Sequence, residues 1–180
     1  MISGPSGAGK GTLIQGVLEL RPDLARVAVS ATTRPMRSGE VEGREYFFLS
    51  DGEFQRRVGA AAFEEHVEFA GHRYGTLKSE IDRLLGEGSS VILELEVEGS
   101  LVIREHRSEA CLIFIDCPVD ELRRRLIARQ TELSGEIEQR LAIAETQSHQ
   151  KDSFDHVILN DRVDRAVGEL LATMESAAAR

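Results

Sequence analysis

The chain has 180 residues, 41% of them hydrophobic, which suits one packed domain with a sizeable core and excludes disorder as its main state. Its formal net charge of −9 opposes non-specific binding to polyanions, so a phosphate site must be a local gathering of Arg and Lys, and a nucleic-acid track is excluded. No apolar run reaches the roughly 18 residues of a membrane span, the N-terminus is not a signal peptide, and Cys111 and Cys117 lack zinc-site spacing; together these predict a cytoplasmic protein with reduced thiols.

Met1-Ile2-Ser3 reads as the tail of a first strand. Gly4-Pro5-Ser6-Gly7-Ala8-Gly9-Lys10-Gly11-Thr12 follows as a glycine-rich loop that opens a helix, whose apolar positions Leu13, Ile14, Val17 and Leu18 recur at helical spacing as far as Leu20. This is a phosphate cradle. Glycines at 4, 7 and 9 let the backbone approach an anion, the first N–H groups of the helix point at its oxygens, and Lys10 supplies a positive charge. The spacing fits G-x-x-x-x-G-K, but the next position, where a Mg²⁺-holding Ser or Thr is expected, is Gly11, and the hydroxyl comes one later at Thr12. The loop predicts a bound nucleoside triphosphate.

Arg26 to Ser30 reads as a strand leading into a polar loop, Ala31 to Glu40, that carries Arg34 and Arg37 and is broken by Pro35 and Gly39. Glu45 to Leu49 is an aromatic-rich strand, and Asp51 caps a short helix through Val58. Phe63 to Phe69 alternates as a half-buried strand, and Gly71 to Thr76 turns the chain back. Residues 30–77 thus have hairpin character and predict a small mixed sheet inserted into an α/β core.

Beyond Thr76 the pattern alternates again. A helix is expected over Lys78–Leu85, a strand over Ser90–Glu96, a helix near Ser100–His106, and a buried strand over Ala110–Ile115. A basic helix over Val119–Arg129, a helix over Glu136–Gln147, a short strand over His156–Leu159 and a closing helix over Val163–Met174 complete the chain. Such alternation around a phosphate loop implies a parallel sheet covered by helices on both faces, with the ligand at its carboxyl edge. Glu94 and Glu96 end the expected core strand, where carboxylates without partners would be costly.

Taken together, these motifs resemble guanylate kinase, a nucleoside monophosphate kinase of the P-loop class, nearly end to end. The marks are Gly4 to Thr12, the run Ser30 to Glu40, Tyr46, Glu65, Tyr74-Gly75-Thr76, Leu93-Glu94-Leu95-Glu96 and Asn160-Asp161. The resemblance implies a P-loop kinase fold with a core of residues 1–29, 78–118 and 151–180, a GMP-binding region over 30–77 and a helical lid over 119–150. It implies transfer of the γ-phosphoryl group of ATP to GMP, and to dGMP, giving ADP and a diphosphate, with Mg²⁺ entering alongside ATP.

Residue by residue, the resemblance assigns ATP to Gly4, Pro5, Ser6, Gly7, Ala8, Gly9, Lys10, Gly11, Thr12 and Asn160. It assigns the GMP phosphate to Arg34, Arg37, Tyr46 and Tyr74, types that suit the task because guanidinium forks bind phosphate bidentately and phenols add neutral donors. Guanine falls to Ser30, Glu65, Thr76 and Glu94. Lys10, Arg37, Arg129 and Arg140 are expected around the transferring phosphoryl, with Arg125 on the lid-side helix, and no protein ligand for the metal is assigned beyond Glu96 through water.

Three departures from the family pattern stand out: Glu rather than Asp at 94 and 96, Glu98 where Gln is common, and Gln130 where glycine is common. The rival readings are a kinase of a phosphorylated sugar, which has no use for Glu65 or Thr76, and a guanylate-kinase-like binding domain without catalysis, which would have lost the phosphate loop.

Overall fold

The computed structural model describes residues 1–69, 71–128 and 134–178. Five parallel strands form the core sheet. β1 (Ile2–Ser3) pairs with β8 (Ile113–Asp116), which pairs with β9 (His156–Leu159), and β2 (Arg26–Val27) pairs with β7 (Val91–Ile92). The two groups join where Ile2 bridges Glu94, the Ile2 N–H donating to Leu93 O at 2.8 Å and the Leu95 N–H to Ile2 O at 3.1 Å. The order is therefore β2-β7-β1-β8-β9.

The inner strands β7, β1 and β8 are short and mostly apolar because both faces are covered, whereas the edge strands β2 and β9 are largely exposed. Side chains of β8 and of Leu112 just before it alternate between two clusters: Ile113 and Ile115 join Leu13, Val17, Leu122, Ile158 and Leu170 on one face, and Leu112 and Phe114 join Val97 and Phe154 on the other. Helices α1 (Lys10–Leu20) and α7 (Val163–Ala178) cover the first face, with α5 (Val119–Ala128) and α6 (Ser134–Ser148) contributing Leu122, Leu141 and Ala144. The second face carries α3 (Lys78–Gly86) and α4 (Val97–Arg104) through Ile81, Leu84 and Ile103. Phe114 has no exposed surface, so truncating it would cost about 3–5 kcal/mol.

Between β2 and α3 the chain builds a second sheet, β4 (Phe47–Phe48), β3 (Ala31–Thr32), β6 (His72–Leu77) and β5 (Phe63–Phe69) in that order. Only β3 and β4 are parallel, so the sheet is mixed, as the hairpin pattern of the sequence implies. Helix α2 (Asp51–Gly59) closes it from one side, Phe54 stacking on Phe63 with ring centroids 4.4 Å apart.

Five local expectations are corrected. Residues 72–76 are strand rather than turn, because the reversal is complete at Gly71 (φ 76°) and Phe69 already faces His72. Gly75 sits within β6 because a Cβ there would meet the Phe63 ring at 2.8 Å; it marks close packing rather than a turn. Ala31–Thr32, expected in a loop, is held as strand by partners on both sides. Ser50 rather than Asp51 caps α2, its hydroxyl accepting from the Glu53 N–H at 3.2 Å. The helix expected from Ser100 begins at Val97, and the strand expected to run to Glu96 ends at Ile92.

Candidate active site

The loop after β1 crosses the carboxyl edge of the core sheet and enters α1 at Gly9. Gly4 lies at φ 138°, and a Cβ there would fall 2.2 Å from Ile115 O, so the loop can pass over β8 only without a side chain. Gly9 caps α1 in the left-handed region at φ 93°. The Lys10 ammonium folds across the loop, donating to Gly4 O at 2.6 Å and Pro5 O at 3.3 Å, and is nearly buried. A loop of N–H groups with a seated ammonium and a helix N-terminus is an anion cradle.

Two side chains from distant segments brace this loop at Ala8. Asn160, fully buried, donates through Nδ2 to Ala8 O at 2.7 Å, and Arg125 reaches the same oxygen at 3.1 Å and Asn160 O at 3.2 Å. Glu121, one turn before Arg125, accepts from its Nε at 2.9 Å. These residues, with Gly7, Gly9, Thr12 and Val163, line a cavity of about 420 Å³ on the outer side of the loop. Arg123 and Arg124 instead pair with Glu138 and Glu121 at the surface.

On the inner side a cavity of about 410 Å³ separates the phosphate loop from the mixed sheet. Ser6, Gly7, Gly9, Lys10, Gly11 and Thr12 form one wall; Ser30, Arg34, Arg37, Tyr46, Glu65 and Tyr74 form the other; Glu94 and Glu96 lie between. Most of the expected substrate residues are thus gathered around one space. Gly4, Pro5 and Ala8 lie behind the loop surface, and Thr76 stands behind Glu65, donating its hydroxyl to Oε1 at 2.8 Å. Arg129 and the side chain of Arg140 lie outside the described residues.

The deep end of this cavity is acidic. Glu65 is 6% exposed, and burial lifts its pKa to about 6 despite the Thr76 hydrogen bond. Glu94 opens onto the cavity, yet its carboxyl is also raised, chiefly by desolvation within the concave walls and against the opposing pull of Lys10. Burial, followed by the charge of Glu94, pushes Tyr46 up to about 12, so its phenol remains a donor at neutral pH. Tyr46 and Tyr74 meet edge to face with ring centroids 6.0 Å apart.

The shallow end is basic. The Arg34 guanidinium lies 5.3 Å from the Tyr46 ring centroid and is clasped by Glu40, while the Arg37 side chain is exposed and its N–H donates to Glu40 Oε2 at 2.7 Å. The family motif includes Glu40 without giving it a role; an acid six residues after Arg34 in a two-arginine loop was the available signal.

A carboxylate pair at one end, a guanidinium pair at the other and an anion cradle alongside define a P-loop phosphotransferase that holds two phosphorylated ligands. The sequence model of the guanylate kinase family matches residues 1–177. The guanylate kinase of Rubrobacter xylanophilus is 44% identical over 175 residues, covering 97% of this chain and 91% of that protein, and that of Caldanaerobacter subterraneus is 42% identical over 173 residues, covering 96% and 84%. The crystal structure of guanylate kinase from Anaplasma phagocytophilum superposes with a TM-score of 0.81 at 26% identity, over 99% of this chain and 85% of that one. The chain belongs to the guanylate kinase family. A sugar kinase from a Janibacter species, at 16% identity and a TM-score of 0.51, shares the fold alone.

Proposed function

We propose that this protein transfers the γ-phosphoryl group of ATP to GMP, giving ADP and GDP, with dGMP as a second acceptor. The observation that carries the reading is the cavity itself, which has Lys10 and the phosphate loop on one wall and Arg34, Tyr46 and Glu65 on the other. ATP lays its phosphates along residues 4–12. The GMP phosphate is received by Arg34, Arg37, Tyr46 and Tyr74, and its guanine by Ser30, Glu65, Glu94 and, through Glu65, Thr76.

Residues 1–29, 78–118 and 151–180 serve as the core, 30–77 as the GMP-binding region and 119–150 as a lid. A GMP phosphate oxygen attacks the γ-phosphorus as the bond to the ADP oxygen breaks. This reaction needs alignment and charge neutralisation more than a general base. Lys10 and Arg37 act on the migrating charge from the two walls, and Arg129 and Arg140 complete the set from the lid. Asn160 stands behind the loop, on the adenine side.

The residues fit a hydrated Mg²⁺ better than a stripped one, since Gly11 supplies no hydroxyl and Glu94 and Glu96 face the loop across the cavity. Bound with ATP, Mg²⁺ would be held through its waters by Glu96 and would neutralise phosphate charge. No helix among the described residues is long and apolar enough to cross a membrane.

The test is ADP formation measured with a panel of monophosphate acceptors. GMP and dGMP should support turnover far above AMP, CMP or a phosphorylated sugar. Binding of GMP without turnover would instead mark a binding domain.

A further inference from the structure

We infer that Gln147 is a positioning residue for phosphoryl transfer, holding the Glu96 carboxylate in the cavity from the last turn of α6. Gln147 is 1% exposed, and among the largest fully buried side chains of the described residues it alone is polar. Its Nε2 donates to Glu96 Oε2 at 3.3 Å, linking residues 51 positions apart, while its buried Oε1 meets no donor among the described residues. An amide kept at such a site, where an apolar side chain of equal size would avoid the unpaired oxygen, marks a role other than packing.

What the amide does follows from its neighbours. Glu96 stands at the N-terminus of α4 and lines the cavity beside the phosphate loop. The charge of Glu96 disfavours ionisation of the Glu65 and Glu94 carboxyls and of the Tyr46 phenol. Left alone, Glu96 would swing away from them. Gln147 opposes that by donating a hydrogen bond, and as a neutral donor it fixes the carboxylate without cancelling its charge, which a lysine or arginine would do. Arg140 lies two turns earlier in α6. The same helix therefore carries a proposed catalytic arginine and the anchor of Glu96, and its seating sets both.

This inference rests on the ATP:GMP transfer reading, and a double-mutant cycle separates the two. Q147M keeps the length and volume and removes the donor. In the wild-type background we expect kcat to fall roughly 10-fold, the scale of coupling within one hydrogen-bonded pair, with KM for GMP nearly constant and the melting temperature unchanged or higher. In an E96Q background the same substitution should cost nothing more. A second variant, Q147E, should be worse than Q147M against Glu96, through like-charge repulsion, and benign against E96Q, whose amide can donate back.

Equal losses in both backgrounds, or a loss of kcat that tracks a lowered melting temperature, would overturn the inference. Absence of GMP-dependent ADP formation by the wild-type protein would overturn the functional reading instead.

Discussion

Glu40 grips the end of the Arg34 guanidinium and leaves its side free. Oε1 lies 2.8 Å from Nη2 and Oε2 2.9 Å from Nη1, whose second hydrogen goes to Pro35 O at 2.7 Å. Three of the five N–H donors are thus committed, and the remaining pair, on Nε and Nη2, form a second fork aimed elsewhere. Glu40 is in effect an orienting clamp, and its own carboxyl is held below the usual range chiefly by the Arg34 hydrogen bonds. Glu40→Ala should raise KM for GMP about tenfold, the worth of one charge-assisted contact, and leave KM for ATP alone. Steady-state kinetics would show a fall in KM instead if Glu40 competes with the phosphate.

Lys10→Met removes an ammonium from the loop while preserving length, so the melting temperature should hold within a few degrees. The rate of ADP formation should fall at least 10²-fold, the scale of losing one transition-state donor. A mutant with near-normal kcat would remove Lys10 from the reaction.

Glu65 makes both stability and substrate binding depend on pH. Its pKa rises from 4.5 to about 6 on folding, so the folded state binds the extra proton. That contribution to stability is fully present below pH 4.5 and is lost as pH rises through 6, a change of about 2 kcal/mol. Binding runs the other way. Guanine presents two donors, N1–H and the exocyclic amine, and only the ionised carboxylate accepts both. KM for GMP should therefore climb as pH falls below about 6. The GMP phosphate also titrates near pH 6, so Glu65→Gln is the control: it should flatten the stability change and shrink the preference for GMP over AMP. Chemical unfolding and kcat/KM from pH 4.5 to 8 would check both halves.

Two glycines of the phosphate loop should answer substitution differently. Gly9 is left-handed, and a Cβ there would meet Asn160 Nδ2 at 2.6 Å. Gly9→Ala should lower the melting temperature, with about 1–2 kcal/mol from the backbone alone, and weaken ATP binding by displacing Asn160. At Gly11 a Cβ would come no nearer than 3.6 Å to Glu94 Oε2, an ordinary contact, so Gly11→Ser should fold as well as the parent. Calorimetry should also find Mg²⁺ binding weak without ATP in the wild-type protein, since among the described residues no three acidic, His or Cys side chains cluster to hold a metal.

The α/β core was legible because its signals were local. The glycine run followed by Leu13, Ile14 and Val17 at helical spacing, and the apolar run Ile113–Ile115, each need only a short window. Strand β6 was not, since Gly71 and Gly75 bracket His72-Arg73-Tyr74 as turn residues would, and the segment is held as strand by pairing with β3 and β5 at once. The site divides in the same way. Arg34, Tyr46 and Glu65 were readable through a family pattern, which also named Glu40 and Arg125, but the contacts of Glu40, Arg125 and Gln147 lie with partners 6, 117 and 51 residues away. A polar residue in an amphipathic helix reads as solvent-facing, and nothing in the pattern reveals that Gln147 points inward.

Gly99 bears on how far this pocket could be redesigned. A Cβ at that position would lie 2.8 Å from Glu65 Oε2 and 3.2 Å from its carboxyl carbon, so the first turn of α4 presses against the back of the acid proposed to read the base. Lengthening or branching residue 65 to retune the enzyme toward a different nucleobase therefore meets the α4 backbone at Gly99. A route to a new acceptor through a larger residue 65 therefore has to move α4.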